Sequence, residues 1–232
     1  MWVVIPVKRF ANAKKRLMSI LSTSERESLA QVMLNDVVRA VAGASLVSGI
    51  LLVSSELRAK YVVERAGGLF LNGKEEGVSA AFKYASDWLL KHGQRTAFMI
   101  PSDIPTLESV ELDKLIASHS GSNSVTLVPD RHYGGTNGLI VSPPGIIDYH
   151  FGSDSFSLHL EATEKALITP TVKISPGIAL DIDSQTDLYR LLTVEQSIET
   201  LDYLWDSGIA KRLLSSGNQN YKSERMAASN LM

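Results

Sequence analysis

Val3–Val7, Gly49–Ser54 and Thr96–Ile100 are near-continuous apolar runs of strand length, and amphipathic stretches separate them. Strands that read this way are covered on both faces. Between the runs the apolar spacing changes to a helical one. Leu29, Val32, Met33, Val37, Val38 and Val41 recur at helical intervals. Ser22 or Ser24 opens that helix, with Glu25 and Glu27 each three residues on as in a capping box. Helices are expected again from about Glu56 to Ala66, then over Ser79–Lys91, Val110–His119, Ser155–Ala166 and Gln185–Leu192. Short strands are expected at Leu69–Leu71, Val125–Val128, Leu139–Val141 and Thr171–Ile174. Strands alternating with helices imply a largely parallel sheet with helices on both faces. Right-handed crossovers make this α/β chain a Rossmann-like three-layer sandwich. The close run of strands after Ser124 adds some mixed or antiparallel character.

The 232 residues fit one domain. Residues 1–192 are expected to form it. In 193–232, Ile198, Leu201, Leu204 and Trp205 are spaced to pack one more helix, before a polar tail from Ser215 that is expected to be flexible. The net charge is −2, from 23 Lys and Arg against 25 Asp and Glu, which argues against a nucleic-acid-binding surface and makes any basic chemistry local. Without cysteine there is no thiolate nucleophile, thiolate metal site or disulfide. The first apolar run is too short for a signal peptide, and no segment approaches the roughly 18 apolar residues of a membrane span. A soluble, cytoplasmic protein is expected, with no membrane partner. Its oligomeric state is not legible.

Chemistry concentrates where strands end. Ligands of open α/β sheets bind in the crevice outside the carboxyl ends of the strands, and the Thr96–Ile100 run delivers Asp103 there. A carboxylate so placed suits a divalent metal or a ribose, although Asp before Ile-Pro also suits a plain Asx turn. Lys8, Lys14, Lys15 and Arg16 follow the first strand, the usual phosphate-binding position. A solvated basic turn is the plainer reading of the same cations. Neither G-x-G-x-x-G nor a Walker A motif is present, so side chains must bind any phosphate. Asp181 and Asp183 lie two apart, on one face if the segment is extended. One could complete a Mg2+ site with Asp103, or Asp183 could cap the next helix. Gly134 and Gly135 offer N–H groups, and Thr136 a hydroxyl, to an anion, or they form a hairpin turn. Ser155 stands at a helix start, as an N-cap or as part of an anion site, with His159 a turn further on.

Ile5-Pro-Val-Lys8, Ala13-Lys-Lys-Arg-Leu17, Glu25-Arg26 with Asp36-Val37, Pro101-Ser-Asp-Ile-Pro105, Gly134-Gly-Thr-Asn137, Phe151-Gly152 with Ser155 and His159, and Ser175-Pro-Gly-Ile-Ala-Leu-Asp-Ile-Asp183 occur in that order. Over about residues 1–192 this set resembles the 2-phospho-L-lactate or phosphoenolpyruvate guanylyltransferases of coenzyme F420 biosynthesis. The resemblance implies a nucleotidyltransferase fold related to glycosyltransferase-A enzymes. It implies GTP and a small phosphorylated three-carbon acid as substrates, with Mg2+ as cofactor. It puts Thr136, Gly152 and Ser155 on the acid, and Asp103 with one or both of Asp181 and Asp183 on the metal. Lys8, Lys14 or Lys15, and Arg16 fall on the GTP phosphates, so that Asp103, Lys8 and Arg16 are catalytic.

Two departures stand out. Pro101 occupies a position where some relatives carry a further acid, which thins the expected metal shell. Gly77-Val78-Ser79 stands where Gly-Leu-Asn is usual near the nucleotide, so Ser79 is the nucleotide-side candidate there. One rival is another nucleotidyltransferase of this fold, acting on molybdopterin or a sugar phosphate. Those usually carry a glycine-rich loop ending in Arg and Lys, which this chain lacks. The other rival is a non-catalytic nucleotide-binding module that regulates a partner.

Overall fold

The computed structural model describes residues 1–73 and 76–215. β1 (Trp2–Val7) pairs in parallel with β2 (Gly49–Ser54) on one side and β4 (Ala97–Met99) on the other, and β2 with β3 (Leu69–Asn72). β6 (Thr136–Ser142) runs antiparallel between β4 and β5 (Ser124–Pro129), while β7 (Thr171–Val172) joins β5 in parallel. The order β3-β2-β1-β4-β6-β5-β7 is the mostly parallel, partly mixed sheet expected. Its antiparallel strand belongs to the part of the chain after Ser124. Successive strand residues point to opposite faces. Val3, Ile5 and Phe98 meet the layer of α1 (Thr23–Ala42), α2 (Leu57–Arg65) and α4 (Ser109–Ser118). Val4, Leu51 and Met99 meet α3 (Val78–Lys91) and α5 (Ser155–Lys165). The three-layer sandwich follows.

Local chemistry sets the element ends. Ser22, not Ser24, opens α1, in a reciprocal capping box with Glu25. The glycine-containing connection after β5 is shorter than its composition suggested, because Pro129 still belongs to β5 and Thr136 already to β6. Asp130 closes that turn by accepting from the N–H groups of His132, Gly134 and Gly135. The glycine N–H groups read above as anion donors are therefore engaged, and the hairpin reading is the correct one. A Cβ on Gly135 would lie 2.8 Å from Asp130 Oδ2, so the side chain that shapes this turn also requires glycine in it. A short helix missed in the sequence, α6 (Pro176–Ala179), follows β7, and α7 (Gln185–Leu191) comes after it. β7 itself ends at Val172, short of the Ile174 expected.

A third apolar cluster lies apart from the two sheet-facing ones. It joins Leu17 and Leu21, Leu29 and Met33 of α1, Ile182, and Leu188 and Leu191 of α7 to Leu201 and Leu204 of α8 (Glu199–Asp206), with Ile209 and Leu213 beyond. The extension expected from residue 193 is thus packed against α1 and α7. The tail expected to be flexible lies, from residue 216 onward, outside the described residues. Among the described residues no helix is long and apolar enough to cross a membrane.

Candidate active site

Consecutive strands step from β1 outward to β3, and the chain then returns to the other side of β1 to lay down β4. Ligands of open α/β sheets bind at such a switch point. A cleft of about 370 Å3 opens there, lined among others by Lys8, Lys14, Lys15, Arg16, Asp103 and Asp183. A second hollow of about 360 Å3 shares Pro6, Val7 and Lys8 with it. It reaches across Ser54 and Ser55 at the end of β2 to Gly77 and Val78 at the start of α3.

The basic loop is held by what it buries. Phe10 and Leu17 are buried at its two ends, each within a short 3-10 turn. The Phe10 N–H donates to Glu56, the residue that also caps α2. Between these anchors, Arg26 of α1 donates through one terminal nitrogen to the Ala13 carbonyl at 2.8 Å. Arg26 is 5% exposed and its Nε has no hydrogen-bond partner. Lys14 follows Ala13 in the left-handed region, at φ 52°, unusual for a residue with a side chain. These features turn Lys14 inward while Lys15 and Arg16 stay exposed.

Lys14 Nζ donates to Asp103 Oδ2 at 2.5 Å and to Asp183 Oδ1 at 3.0 Å, and Arg16 reaches Asp183 Oδ2 at 3.5 Å. The acids meet because Ile182 N–H donates to the Asp103 carbonyl, which lays the 181–183 segment against the loop that follows β4. Ile182 is buried in the third apolar cluster, and the aspartates flank it. Asp181 Oδ1 accepts from Asn137 Nδ2 at 3.1 Å. Burial, and the charges of Asp103 and Asp183, hold its carboxyl above the ordinary range despite that hydrogen bond. The charge of Lys14 holds Asp183 below it. On Lys14 itself burial opposes the charge, but the two carboxylates outweigh burial and its pKa is raised. Asp183 does not cap α7. Ser184 does, with Asp187 accepting from the N–H groups of Asp183 and Ser184 and pairing with Arg131.

The donors here are hard oxygens of the kind Mg2+ takes, one or two carboxylates with phosphate and water completing the shell. Among the described residues no three acid or histidine side chains already surround one point. Asp103, Asp181 and Asp183 are the oxygen donors that could hold Mg2+, and Lys14 is bonded to two of them.

Thr136, next to Asn137 in sequence, begins a polar chain. Thr136 N–H donates to Ser155 Oγ at 2.8 Å, and His150 N–H donates to His159 Nε2 at 3.1 Å. With Nε2 accepting, the His159 proton sits on Nδ1 and is donated to Thr136 Oγ1 at 2.9 Å. Both hydroxyls thus accept within the protein and keep their own protons for donation. Burial, and then the neighbouring His150, push the His159 pKa down to about 4. Ser155 is the first residue of α5, not its cap, which is Asp154 in the left-handed region. Gly152 has φ +134° and open space where a Cβ would stand, so its backbone and not crowding calls for glycine. Ser79 accepts from Phe151 N–H at 2.9 Å, bracing this segment to α3. The hollow's wall there is Gly77 and Val78.

The family model described as "Guanylyl transferase CofC like" covers residues 1–225. This chain belongs to that family. The match runs past residue 192, through the helices that pack under the site. A phosphoenolpyruvate guanylyltransferase of Sphaerobacter thermophilus is 32% identical over 189 residues, 81% of this chain and 90% of that protein. A 2-phospho-L-lactate guanylyltransferase of Methanobrevibacter ruminantium is 31% identical over 218 residues, 90% of this chain and 92% of that one. A putative nucleotide-diphospho-sugar transferase from Desulfovibrio desulfuricans superposes with a TM-score of 0.69 at 16% identity, covering 93% of this chain and 96% of its own. A nucleotidyl transferase from Methanothermobacter superposes at 0.55 and 16% identity, covering 82% and 94%. At such identities the two structures establish the shared fold.

Asn137, Arg26, Asp130 and Asp187 were not recognised as site-shaping residues in the sequence. Asp130 before a Gly-Gly turn carried an Asx signal that could have found it. Asp187, three residues after Ser184, carried a capping-box signal, whereas Asn137 and the Arg26 grip on Ala13 act through contacts beyond one helical turn.

Proposed function

We propose that this cytoplasmic CofC-like protein transfers GMP from GTP to a phosphorylated three-carbon acid, releasing pyrophosphate, as a step of coenzyme F420 biosynthesis. Phosphoenolpyruvate, 2-phospho-L-lactate and 3-phosphoglycerate are the acids considered. The names of the relatives support the reaction class. The observation that carries the reading is the junction at Lys14, where a basic loop and a carboxylate cluster meet at the sheet's switch point.

A phosphate oxygen of the acid attacks the α-phosphorus of GTP in line, and the bond to the β-phosphate oxygen breaks. The attacking oxygen is already ionised, so no general base is needed, and catalysis is positioning and charge neutralisation. Lys8, Lys15 and Arg16 neutralise the triphosphate and the departing pyrophosphate. Asp103, Asp181 and Asp183 would hold Mg2+, which when bound offsets the charge developing on the phosphate oxygens. The hydroxyls of Thr136 and Ser155, with the turn at Gly152, receive the acid, and the hollow beside Gly77 and Val78 receives the nucleoside.

A pyrophosphate-release assay crossing GTP, ATP and CTP with the three acids tests the reading. Release is expected with GTP and to depend on an acid. Equal release with ATP or CTP, or GTP binding without acid-dependent release, overturns it.

A further inference from the structure

The cleft holds four cationic side chains, but only one of them is buried against the acids. The Lys14 side chain is 6% exposed, whereas that of Arg16 is 76% exposed. Its position is built, not incidental. The buried Arg26 grips the carbonyl of the preceding residue, the backbone of Lys14 itself is left-handed, and Leu17 anchors the turn that follows. Together they deliver one ammonium between Asp103 and Asp183. Those are two of the three oxygen-bearing groups that could hold Mg2+, and a metal and an ammonium cannot share them without close like-charge repulsion.

The third acid shows that the charge balance is incomplete. Asp181 is bonded to the neutral Asn137 side chain and not to Lys14. A cation that takes Asp103 and Asp183 as well as Asp181 must displace Lys14 from them, which requires another partner for Lys14. Lysine is a compact charge on a flexible four-carbon stem, and the cleft beside it is lined by Lys8, Lys15 and Arg16. Anionic phosphates bound there would supply that partner.

We propose that Lys14 is a tethered counter-ion which competes with Mg2+ for Asp103 and Asp183, so that the metal binds tightly only when nucleotide phosphates draw the ammonium away. The proposal rests on the reading of the cleft as a GTP and Mg2+ site and adds a coupling between the two ligands. By linkage the coupling is reciprocal, so metal also tightens nucleotide.

The test uses Mn2+ as a paramagnetic probe for the metal, counting free ion by electron paramagnetic resonance, with and without α,β-methylene GTP. Wild-type protein is expected to bind Mn2+ weakly alone and at least about tenfold more tightly with the analogue. Lys14→Met should bind Mn2+ alone at least about tenfold more tightly than wild type, with most of the nucleotide's enhancement gone. Nucleotide-dependent Mn2+ binding that is identical in both proteins leaves the metal reading standing and overturns the role of Lys14. Mn2+ bound by neither protein, even with the analogue, overturns both. If Lys14→Met lacks the wild-type circular dichroism melt, Lys14→Gln replaces it. Wild-type protein also reports directly, through amine acylation mapped by mass spectrometry. Saturating Mn2+ alone should raise labelling of Lys14, and unchanged labelling overturns the competition.

Discussion

Asp103 acts through two atoms with separate duties. Its carbonyl accepts from Ile182 N–H, and its carboxylate accepts from Lys14. Substitution by alanine removes the second and spares the first. Asp103→Ala is therefore expected to lower pyrophosphate release at least about 100-fold while keeping a wild-type melting profile, since Lys14 retains Asp183. Ser155 is different, because its oxygen accepts from the buried Thr136 N–H. Ser155→Ala should raise the acid's KM more than that of GTP, and should also cost about 1–3 kcal/mol of stability, read by urea unfolding. His159 makes a pH prediction. Its folded pKa of about 4 lies below the unfolded value near 6.5, so the unfolded chain binds more protons in between. The stability that His159 contributes is complete above pH 6.5 and is lost as pH falls toward 4. Between pH 7.5 and pH 5 the loss from this residue is about 2 kcal/mol. Comparison of urea midpoints for wild type and His159→Gln, whose side chain does not titrate, isolates it. An equal acid-side loss in both would remove His159 as the cause.

At the scale of elements, the site stands on helices that are not part of it. Asp36 of α1 accepts from the N–H groups of Glu199 and Thr200 and from the Thr200 hydroxyl, at 2.6–2.9 Å. A buried carboxylate of one helix thereby caps another that begins 163 residues later. Asp36→Ala leaves those donors without a partner and is expected to cost about 2–4 kcal/mol. Hydrogen exchange should show the loss concentrated in α8 and in the packed turn at Leu17. Protection lost uniformly would speak against this docking role. α6 is just as constrained. The Gly177 N–H donates to Glu111, and a Cβ at 177 would stand 2.7 Å from the Thr106 carbonyl oxygen. Because α6 leads directly into Asp181, Gly177→Ala should reduce turnover along with stability. The capping box of α1 was readable from Ser22 and Glu25 because both partners lie within one turn. Asp36 was visible as part of a motif but not as a cap, because its partner helix is remote in sequence.

For the molecule as a whole, the boundary expected at residue 192 is not one of packing. Leu201, Leu204, Ile209 and Leu213 are buried against Leu17, Met33, Ile182 and Leu188. Each buried side chain of this kind contributes about 1.5–3 kcal/mol, against a total stability of about 5–15 kcal/mol. A chain truncated after residue 192 is thus expected to lose its cooperative thermal transition, as differential scanning calorimetry would show. Retention of that transition would mean the extension is dispensable. The spacing of Ile198, Leu201 and Leu204 did announce a helix, but not the surface that receives it.

Local spacing determined the strands, the two helical layers and the delivery of Asp103 and the basic loop to strand ends, since periods of two and 3.6 act between near neighbours. The ordered motifs likewise sufficed for the family. What the tertiary structure alone decided is which cation meets which acid, and on what floor. Lys14 is 89 residues from Asp103 and 169 from Asp183, separations over which no periodic pattern specifies contact. Lys8, Lys15 and Arg16 are equally available cations in the sequence. Lys14 is singled out by a left-handed backbone, the Arg26 grip on Ala13 and the Ile182 hydrogen bond to Asp103, all of which exist only once the sheet and the third apolar cluster have brought those segments together.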